Sequence, residues 1–252
     1  MNSLVNFRDL GGIQNLDGLF IKKNRLLRSG EIFKLSEEDK KCLIENYQLK
    51  QVIDFRSPVE IKEKPVDLIE GVTYLHLDIF SDSLKDTPSL ESMLKFLTPR
   101  LADDFMKEAN RLLITLESAR LGYQEFFKSC LKNKEGALLF HCAAGKDRTG
   151  LGAALLLKAL NVGDDEIMLE YLKTNEQRAE INQELIKEAQ EKGLTEGQLS
   201  ALESVFSVKK EYLETAFETI KSEYKSFENY FKKGLGITDN ELRTLRKEYL
   251  TK

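Results

Sequence analysis

Proline is scarce in this chain, four residues in 252, and no Pro-, Gly- or Ser-rich stretch separates one half from the other. That excludes a linker marked by composition, so residues 1–252 read as a single domain. Cysteine is also scarce. Three residues, an odd number, exclude a disulfide framework and point to a reducing compartment. No apolar run approaches the roughly 20 residues of a membrane-spanning helix, which argues against stable membrane insertion. The segment Met1 to Arg8 lacks a basic region followed by an apolar core, so the chain as given carries no secretory signal. The expectation is a cytoplasmic protein; a secreted form would need a signal removed upstream. Basic residues are not in excess: Lys and Arg total 38 against 42 acids, a net charge of −4. That balance argues against a nucleic-acid partner. It does not argue against an anionic small substrate, because the local field at a site decides that. Composition says nothing about oligomeric state.

What is present is hydrophobic content of 41 %, ample for a core, and one dense motif. His141-Cys142-Ala143-Ala144-Gly145-Lys146-Asp147-Arg148-Thr149-Gly150 lies between a short apolar run, Ala137 to Phe140, and a longer one, Leu151 to Leu160. The first reads as a buried strand and the second as a buried helix. The loop between them would face its backbone amides toward the helix N-terminus, a ready anion site. Five residues separate Cys142 from Arg148, so a curled loop brings thiol and guanidinium to one bound group. A guanidinium matches phosphate in bidentate fashion.

Cys142 is then the nucleophile. A free thiol has a pKa of about 8.5, and a helix N-terminus with nearby cations lowers it. Attack on phosphorus gives a phosphocysteine and splits the hydrolysis into two easier steps. Arg148 and the amides from Ala143 to Arg148, through Ala144, Gly145, Lys146 and Asp147, would hold the equatorial oxygens. Thr149 can donate to the sulfur and ease its departure, and His141 would set the cysteine's environment. The reaction drawn this way needs no metal and no cofactor. The alternatives are a buried structural thiol, or a phosphate binder without catalysis.

The pattern His-Cys-x-x-Gly-x-x-Arg-Thr-Gly resembles the signature of the cysteine-dependent tyrosine and dual-specificity phosphatases. With Lys146 and Asp147 inside the loop, it is similar to the bacterial tyrosine phosphatases that also accept phosphoserine, phosphothreonine and phosphoinositides. Asn6-Phe7-Arg8-Asp9-Leu10-Gly11-Gly12, Arg28-Ser29-Gly30 and Asp54-Phe55-Arg56-Ser57 extend the resemblance. It implies an α/β fold: a central, mostly parallel sheet of four to five strands with helices on both faces, a helical lid insert near 80–115 and a helical C-terminal part. It implies a phosphorylated protein or a phosphoinositide as substrate.

The leaving oxygen needs a proton. The wider class takes it from an aspartate on a separate loop, which leaves Asp78, Asp82 and Asp86 open, with Asp103 and Asp104 as outsiders. The bacterial group implies the aspartate within the loop, Asp147. Asp147 is preferred and Asp82 comes second; a helix N-terminal carboxylate is the plain alternative for Asp147. Lys146 could contact an additional phosphate, as on an inositol ring, or could be merely solvated. Arg8, Asp9, Asp54 and Arg56 read as ion pairs that fix turns, His76 as a packed strand residue, and Cys42 and Cys130 as core.

Along the rest of the chain, helices are expected from Ser36, at Ser89–Leu97, Ala102–Leu113, Glu117–Leu131, Asp164–Glu176, Thr195–Phe206 and Glu241–Leu250. Another long one spans Lys209–Lys232, where Tyr212, Leu213, Phe217, Ile220, Tyr224, Phe227 and Tyr230 recur at three and four. Strands are expected at Leu26–Gly30, Lys50–Phe55 and Val72–Ile79. Phe96, Leu97, Phe105 and Met106 could cap a pocket or pack a core.

Overall fold

The computed structural model describes residues 1, 3–82 and 97–252. In chain order the elements are β1 (Arg8–Asp9), β2 (Phe20–Ile21), β3 (Leu26–Ser29), α1 (Glu37–Glu45), β4 (Leu49–Asp54), α2 (Pro58–Glu63) and β5 (Thr73–His76). There follow α3 (Pro99–Thr115), α4 (Glu117–Lys132), β6 (Ala137–His141), α5 (Asp147–Ala159), α6 (Asp164–Gln177), α7 (Ala179–Glu191) and α8 (Glu196–Phe206). The chain closes with α9 (Lys210–Tyr224), α10 (Phe227–Asn229), a π turn (Tyr230–Gly234), α11 (Asp239–Tyr249) and β7 (Leu250–Thr251).

The sheet order is β1-β3-β6-β4-β5, with β1 antiparallel and the other four parallel. This is the expected α/β class. β6 is central, and all five of its residues are buried. Its side chains alternate between two cores, as strand geometry requires. Leu138 and Phe140 join Leu26, Ile53 and Phe55 beneath α4 and α5, whereas Ala137 and Leu139 join Leu27, Val52 and the α1 residue Leu43. Helices therefore cover both faces. α5 is apolar almost all round, which suits a helix buried behind the sheet.

Caps set several helix starts. Ser36 accepts from the Asp39 amide, and Ser57, Thr195 and Thr238 each form a capping box with the residue three further on. Two expectations change. The helix over 209–232 stops at Lys225, whose φ of 72° is left-handed. The break lets Phe227 pack edge-on against Phe217 at 5.0 Å and Tyr230 against Tyr224 at 4.9 Å, so aromatic packing overrides the helical period. The strand over 72–79 is only Thr73–His76. In addition, the C-terminal Leu250–Thr251 pairs with Phe20–Ile21 as a second, two-stranded sheet.

α3 packs against α8 and α9. Leu97 and Met106 are buried, Leu97 against Ala102 and Ala201, so neither is free to cap a pocket, while Phe105 is exposed. The helix expected over 89–97 falls mainly, and Phe96 and Asp86 fall entirely, outside the described residues. Among the described residues, no helix is long and apolar enough to cross a membrane.

Candidate active site

In a parallel sheet the C-terminal strand ends share one edge, and ligands bind in the crevice there. β3, β4 and β6 deliver Ser29-Gly30, Phe55-Arg56 and Cys142 to that edge. Cys142 is 3 % exposed and begins the loop that ends at α5.

The carbonyls of this loop are turned outward and occupied. The Ala143 carbonyl accepts from the Glu31 amide at 2.9 Å. That of Ala144 accepts from Asn6 Nδ2 at 3.2 Å and Arg178 Nη1 at 3.1 Å. The Gly145 carbonyl accepts from Asn6 Nδ2 at 2.8 Å and Arg28 Nη2 at 2.7 Å. By contrast, the amides of Ala143, Ala144, Gly145 and Lys146 find no acceptor among the described residues. Buried amides need partners, so a ring of free ones at a helix N-terminus is a site for an oxyanion. Gly145 makes the curl possible. Its φ is 65°, and a Cβ there would lie 2.3 Å from the Ser29 carbonyl oxygen.

Arg148 donates from Nη1 and Nη2 to the two carboxylate oxygens of Glu60, each at 2.7 Å, and its guanidinium lies 5.9 Å from the Phe80 ring centre. Burial opposes ionisation of Glu60, yet the Arg148 bonds and charge overcome it and hold its pKa down to about 2. Arg148 is correspondingly held above its ordinary value, by Glu60 and by the negative charge of Cys142, against the cost of burial.

His141 is fully buried. Burial pushes its pKa down to about 4, against the pull of Asp54, whose Oδ2 is 3.7 Å from Nε2. Its Nδ1 lies 3.2 Å from the Cys142 carbonyl. The Thr149 hydroxyl is buried without a hydrogen-bond partner among the described residues, so the expected bond to the sulfur is not formed.

Lys146 is 4 % exposed, which corrects the solvated alternative. It donates to the Ser207 carbonyl at 3.1 Å and pairs with Asp147 Oδ2 at 3.0 Å. Asp147 stands at the start of α5, with Oδ1 buried and unpartnered among the described residues.

The separate aspartates are mostly engaged elsewhere. Asp82 Oδ2 accepts from the Ser118 amide at 2.7 Å, pinning the start of α4. Asp103 holds Lys209 and Tyr212, each at 2.6 Å. Asp104 is exposed on α3. Asp78 accepts from the Phe80 amide at 3.1 Å, and burial raises its pKa, with Arg148 and Glu60 among the charges acting on it.

Asp54 holds Arg56, with Nη2 at 2.8 Å, and also accepts from Tyr74 at 2.8 Å. His76 Nε2 sits 2.6 Å from the Arg56 carbonyl. Arg8 and Arg28 both pair with Glu170, at 2.6 and 2.7 Å. Asp9 accepts the amides of Gly11 and Asn24. Arg56 with Asp54 is the expected local pair, Asp9 fixes its turn through backbone amides and, among the described residues, not through an ion pair, and Arg8 pairs with the remote Glu170. Cys130 is core as expected, whereas Cys42 is only half-buried.

Sequence reasoning missed Glu60, Glu170, Glu31 and Arg178 as neighbours of the loop. Only Glu60 left a signal, because Ser57-x-x-Glu60 spells a capping box. Beside Ala143 and Ala144 lies a cavity of about 360 Å³, lined by the apolar Val5, Phe33, Ile181 and Leu185 and by the charged Glu31, Glu60, Glu63, Lys64 and Arg178.

A cysteine at the edge of a parallel sheet, under free amides and an anchored guanidinium, defines the class of cysteine-dependent phosphatases. The tyrosine phosphatase family model matches residues 1–251, and the chain belongs to that family. It is 31 % identical over 244 residues to a provisionally named tyrosine-protein phosphatase of Cupriavidus necator, covering 96 % of this chain and 85 % of that one. It is 26 % identical over 272 residues to the triple specificity protein phosphatase PtpB of Mycobacterium tuberculosis, covering 96 % and 95 %. The solved Pseudomonas aeruginosa TpbA bound to phosphotyrosine is 19 % identical over 62 % of this chain and 71 % of its own, with a TM-score of 0.28, too loose to carry an argument.

Proposed function

We propose that this phosphatase hydrolyses phosphomonoesters by way of a phosphocysteine on Cys142. The sulfur attacks phosphorus, the P–O bond to the alcohol breaks, and Asp147 gives its proton to the departing oxygen. Water then attacks phosphorus, returning a proton to Asp147, and the P–S bond breaks to release inorganic phosphate. The amides of Ala143 to Arg148 and the Arg148 guanidinium hold the three equatorial oxygens throughout. Asp147 fits the acid's part because one carboxylate oxygen is unspent while the other is fixed by Lys146. Asp82 suits it less, since the Ser118 amide already uses it. His141, neutral at pH 7, carries no charge to the cysteine and shapes the strand end behind it.

Phosphotyrosine is the preferred substrate in this reading: Val5, Phe33, Ile181 and Leu185 offer apolar contact to an aromatic ring in a cavity that Glu31, Glu60, Glu63, Lys64 and Arg178 also line. Phosphoserine, phosphothreonine and phosphoinositides form a second tier, supported by the relative described as triple-specific. Two acceptors already hold Lys146, so its capacity for an additional phosphate is reduced. One core gathers residues from Leu10 to Leu250, in keeping with a single domain over 1–252.

The observation that carries the reading is the loop with every carbonyl from Ala143 to Gly145 engaged and the amides of Ala143 to Lys146 without an acceptor among the described residues. The test is hydrolysis of 4-nitrophenyl phosphate with chelator present, repeated with Cys142→Ser. Activity that survives the substitution, or that requires an added divalent metal, would falsify it.

A further inference from the structure

Charge around the loop is largely cancelled in pairs. Arg8 and Arg28 share Glu170, Arg56 has Asp54, Arg148 has Glu60, and Lys146 has Asp147. Arg178 is different. It stands between α6 and α7, is 7 % exposed, and has no carboxylate at ion-pair distance among the described residues. Its Nη1 donates to the Ala144 carbonyl at 3.1 Å, and its Nε is buried with no partner among the described residues. It lines the cavity that opens on Ala143 and Ala144.

A buried guanidinium stays charged, and such a charge is costly unless something negative comes near. Burial lowers its pKa, and the negative groups that act on it are Cys142 first, then Asp147 and Glu31. Asp147 already has Lys146, and Glu31 lies between Lys64 and Arg56. What remains for Arg178 is the sulfur and whatever anion binds above it.

We propose that Arg178 is a second cation of the anion site, one that stabilises negative charge on the Cys142 sulfur and on a phosphoryl group bound over the loop. This rests on the assignment of Cys142 as nucleophile. Arg148 has its charge balanced by Glu60 and serves chiefly to orient oxygens. Arg178 supplies the uncancelled positive charge, which favours dianions over neutral or monoanionic competitors.

Two substitutions separate charge from hydrogen bonding. Arg178→Gln keeps an N–H donor for the Ala144 carbonyl and removes the charge, while Arg178→Lys keeps the charge and loses the planar fork. Two quantities are measured: the inhibition constant of inorganic phosphate, and the ratio of inactivation rates of Cys142 by anionic iodoacetate and neutral iodoacetamide. In Arg178→Gln the phosphate constant rises about tenfold and the ratio falls about fivefold, as expected for one lost charge-assisted contact. Arg178→Lys stays within about threefold of wild type on both.

A folded Arg178→Gln with wild-type values overturns the proposal, and so does an Arg178→Lys that loses as much. If Arg178→Gln does not fold, Arg178→Lys alone decides by the same threshold. Wild-type protein that fails to turn over 4-nitrophenyl phosphate points instead to failure of the Cys142 chemistry, whatever the Arg178 variants do.

Discussion

Glu60 and Arg148 are joined by two parallel hydrogen bonds of 2.7 Å across 88 residues of chain. The same carboxylate accepts the Ser57 amide at 2.8 Å and closes the capping box of α2. One group therefore starts a helix and aims the guanidinium of the catalytic loop. A bidentate fork fixes the guanidinium plane, which a single bond would not.

Glu60→Gln removes the charge and one acceptor of that fork. The expected loss in kcat/KM is about 100-fold for every phosphomonoester, because a misaimed Arg148 costs orientation whatever the leaving group. Steady-state kinetics on an aryl and an alkyl phosphate check this. A loss confined to one substrate would count against it.

Acid titration of stability follows from the same pair. Folding depresses the Glu60 pKa to about 2, so its contribution is complete above the unfolded value of about 4.3 and disappears as pH falls toward the folded one. Urea denaturation of wild type and Glu60→Gln should show a gap that is constant from pH 7 to 5 and closes between pH 4 and about 2.

His141 gives a second acid-sensitive term. Its pKa of about 4 when folded lies below the unfolded value of about 6.5, so the unfolded chain takes up the proton first. Stability attributable to His141 is therefore whole above pH 6.5 and is lost as pH falls from there toward 4. An NMR titration of the ring proton that shows a midpoint near 6.5 in the folded protein would exclude this.

Asp147→Asn tests the acid. Tyrosine phosphate turnover should fall about 100-fold, while a substrate with a strongly activated phenol should be hydrolysed nearly as before, since it leaves without a proton. Equal losses on both would reassign Asp147 to the helix start, and Asp78 would be the aspartate to substitute next.

Glu170→Ala leaves the buried Arg8 and Arg28 without their shared counter-ion. Breaking a buried pair from one side costs about 3–5 kcal/mol, measurable by urea denaturation. Arg28 also holds the Gly145 carbonyl at 2.7 Å, so surviving folded enzyme should bind phosphate more weakly.

Cys142, Arg148 and the strand–loop–helix turn were legible because they are local: apolar run, curled loop, apolar run. The sheet class was legible for the same reason, strand by strand. Glu60 was half legible, as a helix cap without its distant partner. Neither reading of Lys146, a contact for an additional phosphate or a solvated side chain, foresaw its acceptor, because Ser207 lies 61 residues on, just after α8. The long helix after Lys209 was overextended because its aromatic period continues through a break that only packing reveals.

By itself, then, the order of residues marked the candidate nucleophile and the candidate phosphate loop and determined the α/β class, all properties of short segments with strong backbone preferences. Which charges cancel was decided only by the tertiary structure. Glu60 meeting Arg148, Glu170 meeting two arginines, and Arg178 meeting no carboxylate among the described residues depend on contacts between remote elements, and the field at the sulfur is the sum of those contacts.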